Sequence, residues 1–172
     1  PKSSAASDVY KRQVIGAAES SRADVIVEIT GDCPIIDPVI VKESIKIYLM
    51  NDYDYVSNAR IRSYPDGMDT QVFSLETLKK SYSMTQSKLD YEHVTLHIRN
   101  NPNAFSHFDM VASEDLYWPE LGLTLDEEKD YLLIKNIIEY FGNSNSNFSC
   151  AEILKYLREN PELIEINKTV KR

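Results

Sequence analysis

The stretch Ala23-Asp24-Val25-Ile26-Val27-Glu28-Ile29-Thr30-Gly31-Asp32-Cys33-Pro34-Ile35-Ile36-Asp37-Pro38 decides the fold. Val25, Ile26, Val27 and Ile29 form a nearly continuous β-branched run of strand length, the pattern of a parallel strand covered on both faces. Gly31 permits a tight, close-approaching backbone. Asp32 then stands just past the carboxyl end of a central strand, where open α/β sheets bind ligands. Pro34 and Pro38 hold the following segment out of helix until Val39. A carboxylate at that place suits a hard cation such as Mg²⁺, which takes oxygen ligands and is often shared with substrate phosphates. A turn residue, or a cap before the helix at Val39, is the plainer alternative for Asp32.

Downstream, Val39 to Met50 reads as an amphipathic helix with Val39, Ile40, Ile45, Ile47, Tyr48 and Leu49 inward, Asp37 as its N-cap and Pro38 in its first turn. Tyr53 to Asn58 alternates as a strand. Tyr64-Pro65-Asp66-Gly67-Met68-Asp69 contains a Pro-Asp-Gly turn. Gln71 to Phe73 is a short strand, and Ser74 caps a helix from Leu75 to about Thr85. A helix is expected from Asp90 through Glu92 and His93 to Asn100, stopped by Pro102. Phe105 to Ala112 alternates as a strand. Leu121 to Asp126 is a second apolar strand ending on an aspartate. Glu127 to Phe141 is a helix with Tyr131, Leu132, Ile134, Ile137, Ile138 and Phe141 inward, ended by Gly142. Asn143 to Asn147 is a polar linker, and Ser149 to Asn160 is a last helix, followed by a loosely docked tail. Strands alternating with helices, together with local antiparallel pieces, give an α/β fold.

Upstream, Val14 to Arg22 reads as the end of a helix. Ser7 to Gln13 resembles the translation of a transposon end used in preparing sequencing libraries, so residues 1–13 are expected to be a non-native tag and 14–172 the C-terminal part of one domain. A native polar arm is the alternative.

The bulk composition narrows the function. The chain has 172 residues, enough for one domain with a real core. Its formal net charge of −8, from 27 acidic and 19 basic side chains, argues against a general nucleic-acid or anionic-membrane surface. Cys33 and Cys150 are far apart and outside any CxxC spacing, which argues against zinc and against a disulfide framework. No apolar run approaches the ~20 residues that span a bilayer, and the polar start lacks a signal-peptide core. A cytoplasmic setting is the expectation.

Two expected strands end on aspartate, at Thr30-Gly31-Asp32 and Thr124-Leu125-Asp126. If they are neighbours, both carboxylates meet at one sheet edge, where mutual repulsion favours a shared cation. The plainer alternative for Asp126, favoured by its position alone, is N-cap of the helix at Glu127.

Five blocks in order carry a resemblance. They are Ala23 to Pro38, Asp52 to Asn58, Tyr64 to Phe73, Glu92-His93-Val94-Thr95 and Leu123-Thr124-Leu125-Asp126. Over Val14 to about Phe141 the chain resembles the cytidylyltransferases of spore-coat polysaccharide biosynthesis, relatives of the acylneuraminate and 3-deoxy-manno-octulosonate cytidylyltransferases. The resemblance implies a nucleotide-diphospho-sugar transferase fold, a Rossmann-like, GT-A type mixed sheet with flanking helices. The family's N-terminal nucleotide-binding strands, with their Gly- and Arg-containing phosphate loop, would lie upstream of Val14, and the piece alone is expected to be inactive.

The implied reaction moves CMP from CTP to an acidic, sialic-acid-like sugar and releases pyrophosphate. Asp32 and Asp126 match the two metal aspartates, with Mg²⁺ as cofactor. The loop from Tyr64 resembles the sugar-side loop, in which Asp66, Asp69 and Gln71 can bond sugar hydroxyls, turn chemistry being the alternative for Asp66. Glu92 and His93 would open a helix whose positive end favours an anion. His93 could bind the sugar carboxylate or pyrophosphate, or be structural. Arg60 and Arg62 can supply positive charge or be solvated. The family's proline two residues after the second aspartate is replaced here by Glu128. Relatives are often dimers, so a homodimer is possible. Two other readings compete: a glycosyltransferase of the same fold, which would release no pyrophosphate, and a non-catalytic scaffold in polysaccharide synthesis.

Overall fold

The computed structural model describes residues 10–142 and 147–171. Twelve elements follow in order among these residues: α1 (Tyr10–Ser21), β1 (Val25–Glu28), α2 (Pro38–Met50), β2 (Tyr55–Ser57), β3 (Gln71–Ser74), α3 (Leu75–Met84), α4 (Lys88–Glu92), α5 (Leu96–Asn100), β4 (His107–Asp109), α6 (Glu128–Gly142), α7 (Cys150–Glu159) and α8 (Pro161–Ile164). Tyr10 to Gln13, the end of the stretch expected to be a tag, form the first turn of α1. Residues 1–9, and 143–146 of the expected linker, lie outside the described residues.

The four strands lie in the order β1-β3-β2-β4. β3 is antiparallel to both β1 and β2, whereas β2 and β4 are parallel. Strand alternation splits the core into two layers. Ile26, Phe73 and Tyr55 stand in register on one face and pack with Leu78, Val94, Ile98 and Phe105. Val72 and Val56 occupy the other face, over Ile40, Leu133, Ile137, Ile153 and Leu154. Each fully buried Leu or Ile there contributes about 1.5–3 kcal/mol. The mixed α/β class is therefore as expected.

Several details differ from expectation. β1 is an edge strand among the described residues and runs antiparallel to its neighbour, not a central parallel strand. Its continuous apolar run reports a helical layer on each face, which carries no information about strand direction or position. Val27 and Ile29 are accordingly partly exposed. Leu121 to Asp126 is extended but forms only one bridge, Gly122 to Asp66, and no strand. The helix expected over 90–100 is broken into α4 and α5 at His93 to Thr95.

In two helices the expected face holds only in part. In α2 Ile40 is buried and Ile45, Ile47 and Tyr48 pack against the core as expected, but Val39 and Leu49 are exposed and Ser44 is buried. In α6 Ile134 and Ile137 are buried and Phe141 packs against the core as expected, but Tyr131, Leu132 and Ile138 are exposed and Asp130 and Leu133 are buried. Both helices carry apolar residues around much of their circumference, so a buried polar contact to another part of the chain helps choose the face. Ser44 Oγ donates to Met110 Sδ at 3.1 Å. Asp130 accepts from the amides of Asp126 (3.3 Å) and Glu127 (3.0 Å) and from Asn167 Nδ2 (2.8 Å).

Candidate active site

An open cleft of about 360 Å³ lies beyond the carboxyl end of β1 and the start of β3. It collects Asp32, Asp66, Asp69, Gln71, His93 and Asp126, six of the seven candidate residues. Glu92 is exposed on the last turn of α4, outside the lining.

The two lip aspartates are brought together by backbone. The Leu125 N–H donates to the Asp32 carbonyl at 2.8 Å, so the loop after β1 and the segment ending at Asp126 run side by side. Asp126 does not cap α6. Asp130 accepts the amides at that helix start, and the Asp126 carboxylate instead accepts from Thr124 Oγ1 at 2.8 Å. Asp32 accepts a weak bond from the Cys33 thiol, Sγ to Oδ1 3.6 Å. Burial pushes that thiol up to about 11, so it stays protonated and packs as a small side chain rather than acting as a nucleophile. Gly31 has open space around it and an ordinary backbone, so the close approach expected there is absent.

That close approach occurs at Gly67. Its φ is +101°, and an added Cβ would sit 2.7 Å from both the carbonyl carbon and the oxygen of Leu123. The Asp66 N–H donates to the Leu121 carbonyl (2.9 Å), and the Leu123 N–H returns to the Asp66 carbonyl (2.7 Å). The Pro-Asp-Gly turn is thereby pinned against the segment that leads to Asp126. Arg62 reaches both Asp66 (3.3 Å) and Asp69 (3.1 Å). Burial nevertheless raises the Asp69 carboxyl above its usual range, with Arg62 opposing. Arg60 is committed elsewhere, in a two-point contact with Asp109 of β4.

His93 lies on the rim, but neither it nor Glu92 opens a helix. Glu92 ends α4 and His93 is its C-cap, so the helix end they occupy is the negative one. The anion-binding role expected from a helix N-terminus has no basis in this geometry.

Sequence reasoning missed the cleft floor. Glu28, Thr95 and Arg99 line it with Gln71. Gln71 Oε1 accepts from Thr95 Oγ1 at 2.7 Å and from the Tyr55 hydroxyl. Burial lifts the Glu28 carboxyl to about 7 against the pull of Arg99 and Lys11. A charged residue inside an otherwise apolar strand was the available signal, since such a residue is mostly exposed or paired.

Among the described residues, no group of three or more His, Cys, Asp or Glu side chains converges as a cation cage. The donor set at the lip is two carboxylates, Asp32 and Asp126. That fits Mg²⁺, which commonly takes one or two carboxylates and fills its shell with water and substrate phosphate.

This mixed sheet has helical layers on both faces and an acidic cleft at its strand ends, and the chain belongs to the cytidylyltransferase family, whose model matches residues 3–165. It is 32% identical over 156 residues to the uncharacterized protein MJ1063 of Methanocaldococcus jannaschii, covering 91% of this chain and 62% of that protein. It is 31% identical over 147 residues to the spore coat polysaccharide biosynthesis protein SpsF of Bacillus subtilis, covering 84% and 59%. A solved cytidylyltransferase from Leptospira borgpetersenii superposes with a TM-score of 0.86 at 28% identity, over 94% of this chain and 67% of that one. The chain thus spans about three fifths of the length of the curated relatives it matches.

Proposed function

We propose that the protein is a nucleotidyltransferase that moves CMP from CTP to an acidic, 2-keto-3-deoxy sugar, in the service of surface polysaccharide synthesis. The observation that carries this reading is the meeting of Asp32 and Asp126 at one lip of the cleft, joined through the Leu125–Asp32 backbone bond, with the Asp66 to Gln71 wall facing the same space. Family membership and the likeness to SpsF support the nucleotide and the pathway class.

In this reading the sugar hydroxyl oxygen attacks the α-phosphorus of CTP, and the bond from that phosphorus to the pyrophosphate oxygen breaks. The chain's own residues position the reactants. Asp66, Asp69 and Gln71 accept or donate hydrogen bonds to sugar hydroxyls, with Arg62 bracing the two carboxylates. Asp32 and Asp126 would hold Mg²⁺, which, when bound, neutralises charge on the α-phosphate and the leaving pyrophosphate. Charge makes that cation necessary. Glu28, Asp32, Asp66, Asp69 and Asp126 line the cleft against Arg99, so a polyanionic nucleotide is otherwise repelled.

The test is pyrophosphate release from CTP and Mg²⁺ by the full-length protein across a panel of 2-keto-3-deoxy sugar acids. Asp32→Ala and Asp126→Ala should each lower kcat/KM by about two orders of magnitude or more. Sugar-dependent turnover of CTP that survives both substitutions would remove the assignment of these aspartates. Turnover of a nucleotide sugar without pyrophosphate would turn the reading to a glycosyltransferase.

A further inference from the structure

The cleft floor holds a polar pair that the lip aspartates do not use. Glu28 ends β1 and stands opposite Gln71 of β3 in the sheet register. Arg99 descends to the same floor from α5. Glu28 Oε2 and Arg99 Nε are both buried, and neither has a hydrogen-bond partner. The two attract each other electrostatically, yet they form no ion pair within 4.0 Å among the described residues. The neighbouring carbonyl oxygen is occupied by contrast, since Gln71 Oε1 accepts from both Tyr55 and Thr95. A charged acceptor left unpaired at the base of an open cleft is costly in the free protein, and a ligand that donates to it recovers that cost.

Position selects the ligand. Glu28 lies next to Gln71 on the sugar-side wall and four residues before Asp32 on the same chain segment. A phosphate would be repelled by a carboxylate there, whereas a hydroxyl or amide N–H is drawn to it. We propose that Glu28 determines acceptor specificity, its carboxylate accepting a hydrogen bond from a hydroxyl or amide N–H of the acceptor sugar with Arg99 as counter-charge. This rests on the cytidylyltransferase reading above and adds to it a residue and the donor chemistry it selects.

The groups facing Glu28 are Arg99 from α5, Lys11 from α1 and the Tyr55 hydroxyl from β2, with Gln71 from β3 and with Asp69 sharing the field of Arg99. Burial holds the Glu28 carboxyl at about 7. The ionised form accepts the sugar's donor, so affinity falls as pH drops through that value. A sugar carboxylate is ionised throughout this range and adds no step of its own.

The experiment is titration calorimetry on the full-length protein with N-acetylneuraminate and 3-deoxy-manno-octulosonate as probes, from pH 5.5 to 8.5, and with CTP as control. Wild-type affinity for at least one probe should rise about tenfold or more across the range. Glu28→Gln should lose that rise and bind about tenfold more weakly at pH 8, with CTP affinity within about twofold of wild type. Glu28→Asp, which keeps the charge, should restore the pH dependence. His93 is intact in every variant, so only the component lost in Glu28→Gln is assigned to Glu28. Equal affinity and an equal profile in Glu28→Gln would overturn this inference and leave the function standing, as would a parallel loss of CTP binding. Binding of neither probe by the wild type would overturn both the acid-sugar reading and the inference.

Discussion

Gly67 is the residue at which the Asp66 to Gln71 wall of the cleft depends on a missing side chain. Its left-handed backbone and the 2.7 Å approach to the Leu123 carbonyl leave no room for a Cβ. Gly67→Ala should destabilise the protein by about 2–4 kcal/mol, combining backbone strain with a clash against backbone. Urea unfolding measures this, and a loss below about 0.5 kcal/mol would show that the turn relaxes freely. The Pro-Asp-Gly signature made this turn legible in the sequence, but Gly31 carried an equally plausible claim to close approach and proved to have none. Asp126 shows the reverse. Its local sequence fits a helix cap as well as a ligand, and only the capping by Asp130 releases its carboxylate for the cleft.

Among the elements, the helix starts were the most legible. Asp37 caps α2 as read, with the Val39 N–H donating to Oδ1 at 2.7 Å. Its second oxygen does what no local pattern shows, accepting from the Cys150 N–H at the start of α7, also at 2.7 Å. Asp37→Ala leaves the buried Cys150 amide and the part-buried Val39 amide without their carboxylate partner and should cost about 2–4 kcal/mol in chemical denaturation. A cost near 1 kcal/mol would mean that water or rotation replaces one of the two bonds. Ser149, which forms a capping box with Glu152 at the same helix start, supplies a separate single-cap comparison. Helix faces were only partly legible, because apolar residues surround much of α2 and α6 and the contacts of buried Ser44 with Met110 and of Asp130 with Asn167 lie far apart in sequence. The break between α4 and α5 was illegible as well, although the Thr95–Gln71 bond that accompanies it builds the cleft floor.

At the scale of the whole molecule, the site was readable where ordered blocks of sequence converge and unreadable where it depends on strand register. Asp32, Asp66, Asp69, Gln71, His93 and Asp126 reach one cleft. Glu28 joins them only because β1 and β3 align it with Gln71, which no spacing along the chain announces. That placement costs stability in a pH-dependent way. The Glu28 carboxyl rises from an ordinary 4.5 to about 7 on folding, so between these values the folded chain holds more protons than the unfolded one. This group's contribution is therefore largest below about 4.5 and is lost as pH rises through 7. Relative to wild type, Glu28→Gln should gain about 1–2 kcal/mol between pH 5 and pH 8, allowing for partial solvent exposure. A difference that stays constant with pH would place the carboxylate in ordinary solvent. The double cap of Asp37 has a consequence of another kind. It ties the loop that carries Asp32 to a helix start 113 residues later in the chain. The backbone amide of Cys150 is thereby a built-in hydrogen-exchange reporter: its deuterium uptake records how often the loop below the lip of the cleft opens, and ligands that steady that loop slow the exchange at a distance from the cleft.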